Sequence, residues 1–495
     1  GRTVAVSGDT VVVGALREDS NQTTITNSQS ASSDNSAVDA GAAYVFVRNG
    51  TTWSQQAYLK AANAGANDYF GYSVSVSGDT VVVGALWEDS NQTTITNGAS
   101  ASSDNSASNA GAAYVFVRNG TTWSQQAYLK FANAGAGDCF GDSVSVSGDT
   151  IVVGAAVEDS NQTTITNGAS ASSDNSAADA GAAYVFVRNG STWSQEAYLK
   201  AANAEADDRF GVSVSVSGDT IVVGAWREDS NQTTITNGSS ASSDNSAGDA
   251  GAAYVFVRNG TTWTQQAYLK APNAGADDHF GLSVSISADT VVVGARDEDS
   301  NQTTITNGAG ASSDNSAADA GAAYVFVRNG STWSQQAYLK APNAGAGDNF
   351  GTTVSVSVSG DTVVVGAREE DSNQTTITNG ANASSDNSAA DAGAAYVFVR
   401  DGSTWTQQAY LKAANADAGD LFASVSISGD TIVVGANQED SNQNTITNGA
   451  SASSDNSAGD AGAAYVFVRQ RPFATPSNFV EIPAGSFTMG SPSGE

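Results

Sequence analysis

The chain of 495 residues has one cysteine (Cys139), one histidine (His279) and one methionine (Met489). No disulfide can form within it, and zinc sites built from Cys and His alone are excluded. A Ser–His–Asp or Cys–His arrangement could be built only around His279. Basic residues are scarce: 20 Lys plus Arg stand against 51 Asp plus Glu, a formal net charge of −31. Such a surface repels phosphate backbones and anionic lipid, which sets aside nucleic-acid binding and charge-driven membrane binding. No run approaches the ~18 consecutive apolar residues of a membrane span, so no membrane insertion is expected. Proline is rare, at 6 residues, whereas glycine reaches 51. No segment shows sustained helical periodicity.

What is present is one unit written about seven times. Phe-Gly recurs at Phe70-Gly71, Phe140-Gly141, Phe210-Gly211, Phe280-Gly281 and Phe350-Gly351, a period of 70 residues. The next copy gains a Val-Ser in the run Val354 to Ser359, and leads to Phe422-Ala423, where Gly has become Ala and one residue is lost. Gly1 stands where the Gly of a Phe-Gly would, so the chain reads as a piece of a longer protein that begins inside a repeat. Each unit predicts four strands. In the second copy, strand A is Ser73 to Ser77, alternating small polar and apolar residues. Strand B is Thr80 to Ala85, continuously apolar and so expected to be buried on both faces. Strands C and D are Ala112 to Arg118 and Thr122 to Lys130. Ser77-Gly78-Asp79 joins A to B and Asn119-Gly120 joins C to D, both tight-hairpin chemistry. A long Ser/Thr/Asn/Asp-rich stretch joins B to C, and an Ala/Asn/Gly-rich one ending in Asp-x-Phe-Gly joins D to the next A. Four short antiparallel strands per unit, about seven times, predict an all-β chain: a seven-bladed β-propeller with an incomplete last blade, which lacks the Trp…Tyr-Leu-Lys strand. Its fourth strand would come from upstream of Gly1 or from the tail.

These residues carry a resemblance. The Phe-Gly, the Val-Gly-Ala of strand B, the Ala-Ala-Tyr-Val-Phe-Val strand and the Trp…Tyr-Leu-Lys strand resemble the FG-GAP repeat, the blade of integrin α-subunit propellers, and above all its bacterial branch. The resemblance covers residues 1–469 and implies a secreted or cell-surface recognition protein of bacterial type. Two features depart from it. The Pro of Gly-Ala-Pro is absent, and so is the Asp-x-Asp-x-Asp-Gly calcium loop, so integrin-type calcium binding does not carry over. Residues 470–478, with Pro472 and Pro476, read as a linker. Residues 479–495, from Phe479-Val480-Glu481-Ile482-Pro483 to Met489-Gly490-Ser491, are similar to the opening strand of the formylglycine-generating, sulfatase-modifying-factor family. That family's catalytic cysteines would lie beyond Glu495.

Strand parity sorts the loops. The A–B and C–D turns share one face of the disk; the long B–C and D–A loops share the other, where recognition is expected. Differences among the copies concentrate on that second face. They fall in the two residues after Val-Gly-Ala: Leu16 and Arg17, Leu86 and Trp87, Ala156 and Val157, Trp226 and Arg227, Arg296 and Asp297, Arg368 and Glu369, Asn437 and Gln438. They recur before Phe-Gly (Tyr69, Cys139, Arg209, His279, Asn349, Leu421) and after it (Tyr72, Asp142, Val212, Leu282, Thr352). Leu16, Arg17, Tyr72, Leu86, Trp87, Trp226, Arg227, Arg296, Asp297, Arg368 and Glu369 are the candidate ligand-binding residues, with Trp, Tyr and Arg as anchor types. Against this stands drift of exposed positions, and Cys139 and His279 read as incidental surface residues.

The B–C loops repeat an acidic pattern: Glu18, Asp19, Asn21, Asp34 and Asp39; Glu88, Asp89 and Asp104; Glu158, Asp159, Asp174 and Asp179; Glu228, Asp229, Asp244 and Asp249. It continues with Glu298, Asp299, Asp314 and Asp319; Glu370, Asp371, Asp386 and Asp391; Glu439, Asp440, Asp455 and Asp460. Calcium takes ~6–8 oxygen ligands of these kinds, which makes the acids candidate metal ligands. The spacing matches no standard calcium loop, and turns and caps are the other use of such residues. A hydrolase or lyase needs one unlike constellation, whereas these acids recur around the ring and no copy is expected to hold a unique acid–base set. The expectation is a monomeric, non-catalytic propeller that binds an extracellular protein or glycan, with calcium as the ion that would order its loops. The alternative is a spacer that displays the downstream domain.

Overall fold

The computed structural model describes residues 1–469 and the backbone of Gly485–Thr488. The similarity of residues 479–495 to the sulfatase-modifying-factor family therefore falls largely outside the described residues. Those described form seven antiparallel sheets and no helix. The sheets follow one another around a closed ring, as the blades of a β-propeller.

The second blade shows the pattern. Phe70–Ser77, Thr80–Ala85, Ala112–Asn119 and Thr122–Leu129 pair in the order A-B-C-D. A two-residue strand from the B–C loop, Thr96–Asn97, adds outside D. Only two residues pair there, too few to leave an alternation in the sequence. Strand B lies buried on both faces, with Val81, Val82 and Val83 fully inaccessible. Its side chains point alternately to opposite neighbours. Val81 and Val83 pack with the first blade's Val45 and Leu59. Val82 packs with the third blade's Phe140 and Tyr184.

The A strands lie innermost, each beside the A strands of both neighbours. Small residues are needed there because the strands converge. Ser75 Oγ accepts from Val146 N at 3.1 Å and Ser77 Oγ from Gly148 N at 3.1 Å, so the serines of Ser-Val-Ser-Val-Ser hold one blade to the next. The two motif glycines meet at the same seam. A Cβ on Gly84 would come within 2.1 Å of the Gly141 carbonyl, and Gly141 itself has φ +96°, a conformation that L side chains resist. In the third blade Gly141 precedes strand A, which begins at Val144; in the second blade the equivalent Gly71 stands with Tyr72 in a bulge, unpaired between Phe70↔Ala85 and Ser73↔Gly84. In the last blade one residue is missing and Ala423 alone stands between Phe422↔Ala436 and Ser424↔Gly435. With the shorter bulge the position no longer takes the left-handed conformation, and Ala is accommodated: Ala423 is not among the residues with positive φ. The extra Val-Ser of the sixth blade widens its A–B turn and leaves Val358 73% exposed.

The ring closes with the contacts used elsewhere. Val6 N donates to Ser426 Oγ at 3.1 Å, and Asn448 Oδ1 accepts from Trp53 N at 2.7 Å. The last blade supplies Phe422–Ser428, Thr431–Ala436 and Ala463–Val468 from its own repeat. The tail supplies the fourth: Gly485–Thr488 pairs antiparallel with Ala463–Val468 through Ala463↔Thr488, Ala464↔Phe487 and Tyr465↔Ser486.

Candidate functional site

The two faces differ as strand parity requires. On the short-turn face, the Arg near the end of strand C reaches the Asp of the A–B turn in the first six blades. Arg118 Nη2 lies 2.6 Å from Asp79 Oδ1, and its guanidinium sits 5.2 Å from the Trp123 ring centroid. The same pair recurs, for example, as Arg188–Asp149 and Arg328–Asp289.

The long-loop face begins with an ordered B–C loop. Glu88 is buried, and its Oε2 lies 3.2 Å from Lys130 Nζ, which also donates to Gly111 O at 2.6 Å. Glu88 Oε1 accepts from Tyr128 OH at 2.8 Å and from Asn63 Nδ2 of the preceding blade at 2.9 Å. Tyr114 OH closes the set on Asn63 Oδ1 at 2.6 Å. Glu18, Glu158, Glu228, Glu298 and Glu370 pair likewise with Lys60, Lys200, Lys270, Lys340 and Lys412. Glu439 accepts from Asn415 Nδ2 at 2.7 Å. The seven glutamates of the acidic pattern therefore serve the packing of the ring.

The aspartates fold the loop on itself. Asp19 Oδ1 accepts from Asp39 N at 2.8 Å, and Asp89 Oδ1 from Asn109 N at 2.8 Å. Asp159, Asp229, Asp299, Asp371 and Asp440 do the same for Asp179, Asp249, Asp319, Asp391 and Asp460. Asn21 Nδ2 donates to Ser36 Oγ at 2.7 Å. Asp34 is exposed; the hydroxyl and amide of Ser36 hold its carboxyl below its ordinary range. Asp104, Asp174, Asp244, Asp314, Asp386 and Asp455 repeat this with Ser106, Ser176, Ser246, Ser316, Ser388 and Ser457. A further acid, Asp68 of Asp-x-Phe-Gly, is buried below the loop and accepts from Gly65 N at 2.7 Å; burial pushes its carboxyl up to about 7. Sequence reading passed over this residue.

The variable residues lie where strands A begin and strands B end, around the inner mouth of the ring. Here the copies are chemically unlike. Arg2 Nη2 donates to Tyr72 OH at 2.9 Å and stacks 4.4 Å from that ring. Burial pushes the carboxyl of Asp142 up to about 7, against the opposing pull of Arg2, Arg209 and Tyr72. Arg209 Nη2 lies 2.7 Å from Asp179 Oδ2. Burial, with Asp142 adding, pushes the half-buried Cys139 thiol up to about 12, so it stays protonated at neutral pH. Trp87 packs 4.4 Å from Tyr69, and Trp226 lies 4.6 Å from His279 with Arg227 on its ring at 4.5 Å.

His279 is far from an incidental surface residue. Its Nδ1 bonds Asp297 Oδ2, and Arg296 Nη2 reaches the same oxygen at 2.7 Å. Asn349 Nδ2 donates to Asp297 Oδ1 at 3.2 Å. Burial alone would raise the Asp297 carboxyl; His279 and Arg296 outweigh it and hold it below its ordinary value. One ring nitrogen of His279 and one carboxylate oxygen each of Asp249 and Asp277 fall within 4.8 Å of one another. Tertiary structure thus gathers the one histidine and several carboxylates from three loops, a grouping that the sequence spacing did not display.

Of the other candidates, Leu86 is buried, Leu16 half-buried and Arg17 exposed. Arg368 Nη1 pairs with Glu369 Oε1 at 2.9 Å. Trp87 and Trp226 are each taken up by local neighbours, Tyr69 for the first and His279 with Arg227 for the second, whereas Arg17 is exposed. Arg2, Asp142, Arg209 and His279 belong to the same belt. Their membership of variable columns was the signal that could have placed them there.

Among solved structures, the chain is similar to a protein assigned as a 6-phosphogluconolactonase from Bacteroides uniformis, at TM-score 0.43 and 11% identity over 89% of this chain and 93% of that one. A hypothetical selenium-binding protein from Sulfolobus tokodaii matches at TM-score 0.39 and 7% identity, covering 90% and 89%. An acylaminoacyl peptidase from Pyrococcus horikoshii matches at TM-score 0.35 and 10% identity, covering 82% of this chain and 45% of that one. At these TM-scores the likeness carries no argument about this chain. No curated protein sequence matches it. The FG-GAP repeat model matches residues 53–116, 123–186, 193–256, 263–309, 333–398 and 405–467, most of the chain. With the Phe-Gly and Val-Gly-Ala glycines meeting at each blade seam, this chain belongs to the FG-GAP repeat family.

Proposed function

We propose that the propeller is a non-catalytic recognition module of a secreted or cell-surface bacterial protein, acting as a monomer. It binds an extracellular protein or glycan through the face that carries the B–C and D–A loops. One observation carries this reading: the side chains that differ from blade to blade gather at the mouth of that face, whereas the rest of each blade is repeated nearly unchanged. A stiff ring with an individual set of Trp, Tyr, Arg and Asp at one end is how a loop-bearing scaffold presents a binding surface. No helix among the described residues is long and apolar enough to cross a membrane. Calcium enters the reading at the exposed Asp34 and its copies, the loop acids that stand in solvent.

The test is a panel of glycans and extracellular-matrix proteins, probed with the chain and with a Trp87→Ala, Trp226→Ala, Arg17→Ala triple variant. Saturable binding lost in the triple variant, and kept when the short-turn face is changed at Asn119→Ser, supports the reading. Absence of any binding, or binding indifferent to the mouth, leaves the spacer that displays a downstream domain. For calcium, thermal melting in EDTA and then in millimolar calcium should show a rise that magnesium does not reproduce, by mass action on the native state. An unchanged melting point removes calcium from the reading.

A further inference from the structure

We propose that the mouth holds one site for a divalent first-row transition metal of the zinc class, built by Asp249, Asp277 and His279 between the fourth and fifth blades. The inference stands apart from what the face binds. It rests first on convergence: among the described residues, this is the single group of three Asp, Glu, His or Cys side chains whose ligand atoms lie within 4.8 Å of one another. An imidazole with two carboxylates is a nitrogen–oxygen donor set that suits zinc, cobalt or nickel, whereas calcium takes oxygen ligands throughout.

The second support is how His279 is held. Its Nδ1 is taken by Asp297, which is buried and fixed by Arg296 and Asn349. A carboxylate on one ring nitrogen sets the tautomer and orients the other for a metal. With Nδ1 on Asp297, Nε2 is the nitrogen that would meet the cation in the proposed site, and the Trp226 ring packs 4.6 Å from the imidazole.

The neighbouring copy supplies a control within the same chain. There Asp179 and Asp207 stand where Asp249 and Asp277 do, on a matching left-handed backbone with φ of 57° and 70° against 54° and 64°. The third position is Arg209, and its guanidinium bridges to Asp179 at 2.7 Å. In the fourth-to-fifth junction His replaces that Arg and turns its Nδ1 to Asp297. Among the described residues no Lys or Arg ion pair reaches Asp249 or Asp277. The backbone thus places an Asp at both positions in both copies; in one copy Arg209 pairs with Asp179, and in the other a histidine stands in place of that cation.

Cobalt(II) titrated into the chelator-treated chain should bind one equivalent, with visible d–d absorption that zinc abolishes by displacement. His279→Asn and Asp277→Gly place residues that other copies carry at these positions, Asn349 and Gly347, with φ of 54° and 86°, so the ring should keep its melting temperature. Each should lose the one-equivalent binding. Asp297→Ala, which removes the orienting carboxylate, should weaken it by about 10–100-fold. The proposal is overturned if no saturable one-equivalent binding occurs, if binding survives both replacements, or if calcium displaces cobalt at equal concentration.

Discussion

At the residue scale, the repeated unit is built around a buried ion pair that couples blades. Glu88 accepts from Lys130, Tyr128 and Asn63, and Asn63 comes from the blade before. Burying two charges is costly, and the pair holds only because each partner is satisfied by further hydrogen bonds. Removing one partner strands the other. Lys130→Met should cost about 3–5 kcal/mol, with a smaller loss when Glu88→Gln is added; urea unfolding of the two variants checks this. A loss below 1 kcal/mol for Lys130→Met would mean that Glu88 is hydrated or protonated.

At the element scale, the loops and blades are held by recurring side-chain clasps. Asn97, in the two-residue outer strand, accepts from Trp193 N at 2.7 Å and donates to Trp193 O at 3.2 Å, tying one blade's loop to the next blade's D strand. Asn97→Ala should destabilise by about 1–3 kcal/mol, since a buried backbone amide is left unpaired. Hydrogen exchange should show faster opening at Trp193 in that variant. The D–A loops add a pH dependence. Burial raises Asp68, Asp138, Asp278, Asp348 and Asp420 to about 7, and Asp208 to about 8. An acid whose pKa is higher in the folded state holds its proton more tightly there. Its contribution to stability is complete below the unfolded value near 4 and is lost as pH rises through 7 to 8. The melting temperature should therefore fall between about pH 4 and 8, and Asp138→Asn should flatten that slope. A melting temperature that rises over this window would contradict the raised pKa values.

At the scale of the whole molecule, the ring is closed by contacts of the same kind as those between any two blades, and the last blade borrows its fourth strand from the tail. Gly485–Thr488 covers the edge of Ala463–Val468. Ending the chain at Arg469 should expose that edge, and open strand edges pair with other chains. The shortened chain should melt lower and self-associate, as sedimentation would show; an unchanged monomer would mean that the tail strand adds nothing to closure.

The strands, the hairpin turns and the identity of the loop-bearing face were legible in the chain because each rests on local chemistry. A period of two marks strands A, Ser-Gly-Asp and Asn-Gly mark turns, and parity then assigns the loops. The small residues of strand A and the two motif glycines were also visible, although the reason for them, the meeting of Gly84 and Gly141 across a seam, was not. What sequence could not decide was the task of each acid. Glu88 and Asp89 are neighbours, yet one is buried against a lysine 42 residues on and the other folds its own loop. His279 read as incidental because its partners come from other loops: Asp297 lies 18 residues ahead, and Asn349 reaches that Asp from the following junction. A repeat determines its own blade by itself, because strand and turn preferences act over a few residues. Burial and charge pairing are set between blades, so the chemistry of the mouth was decided only when the ring closed.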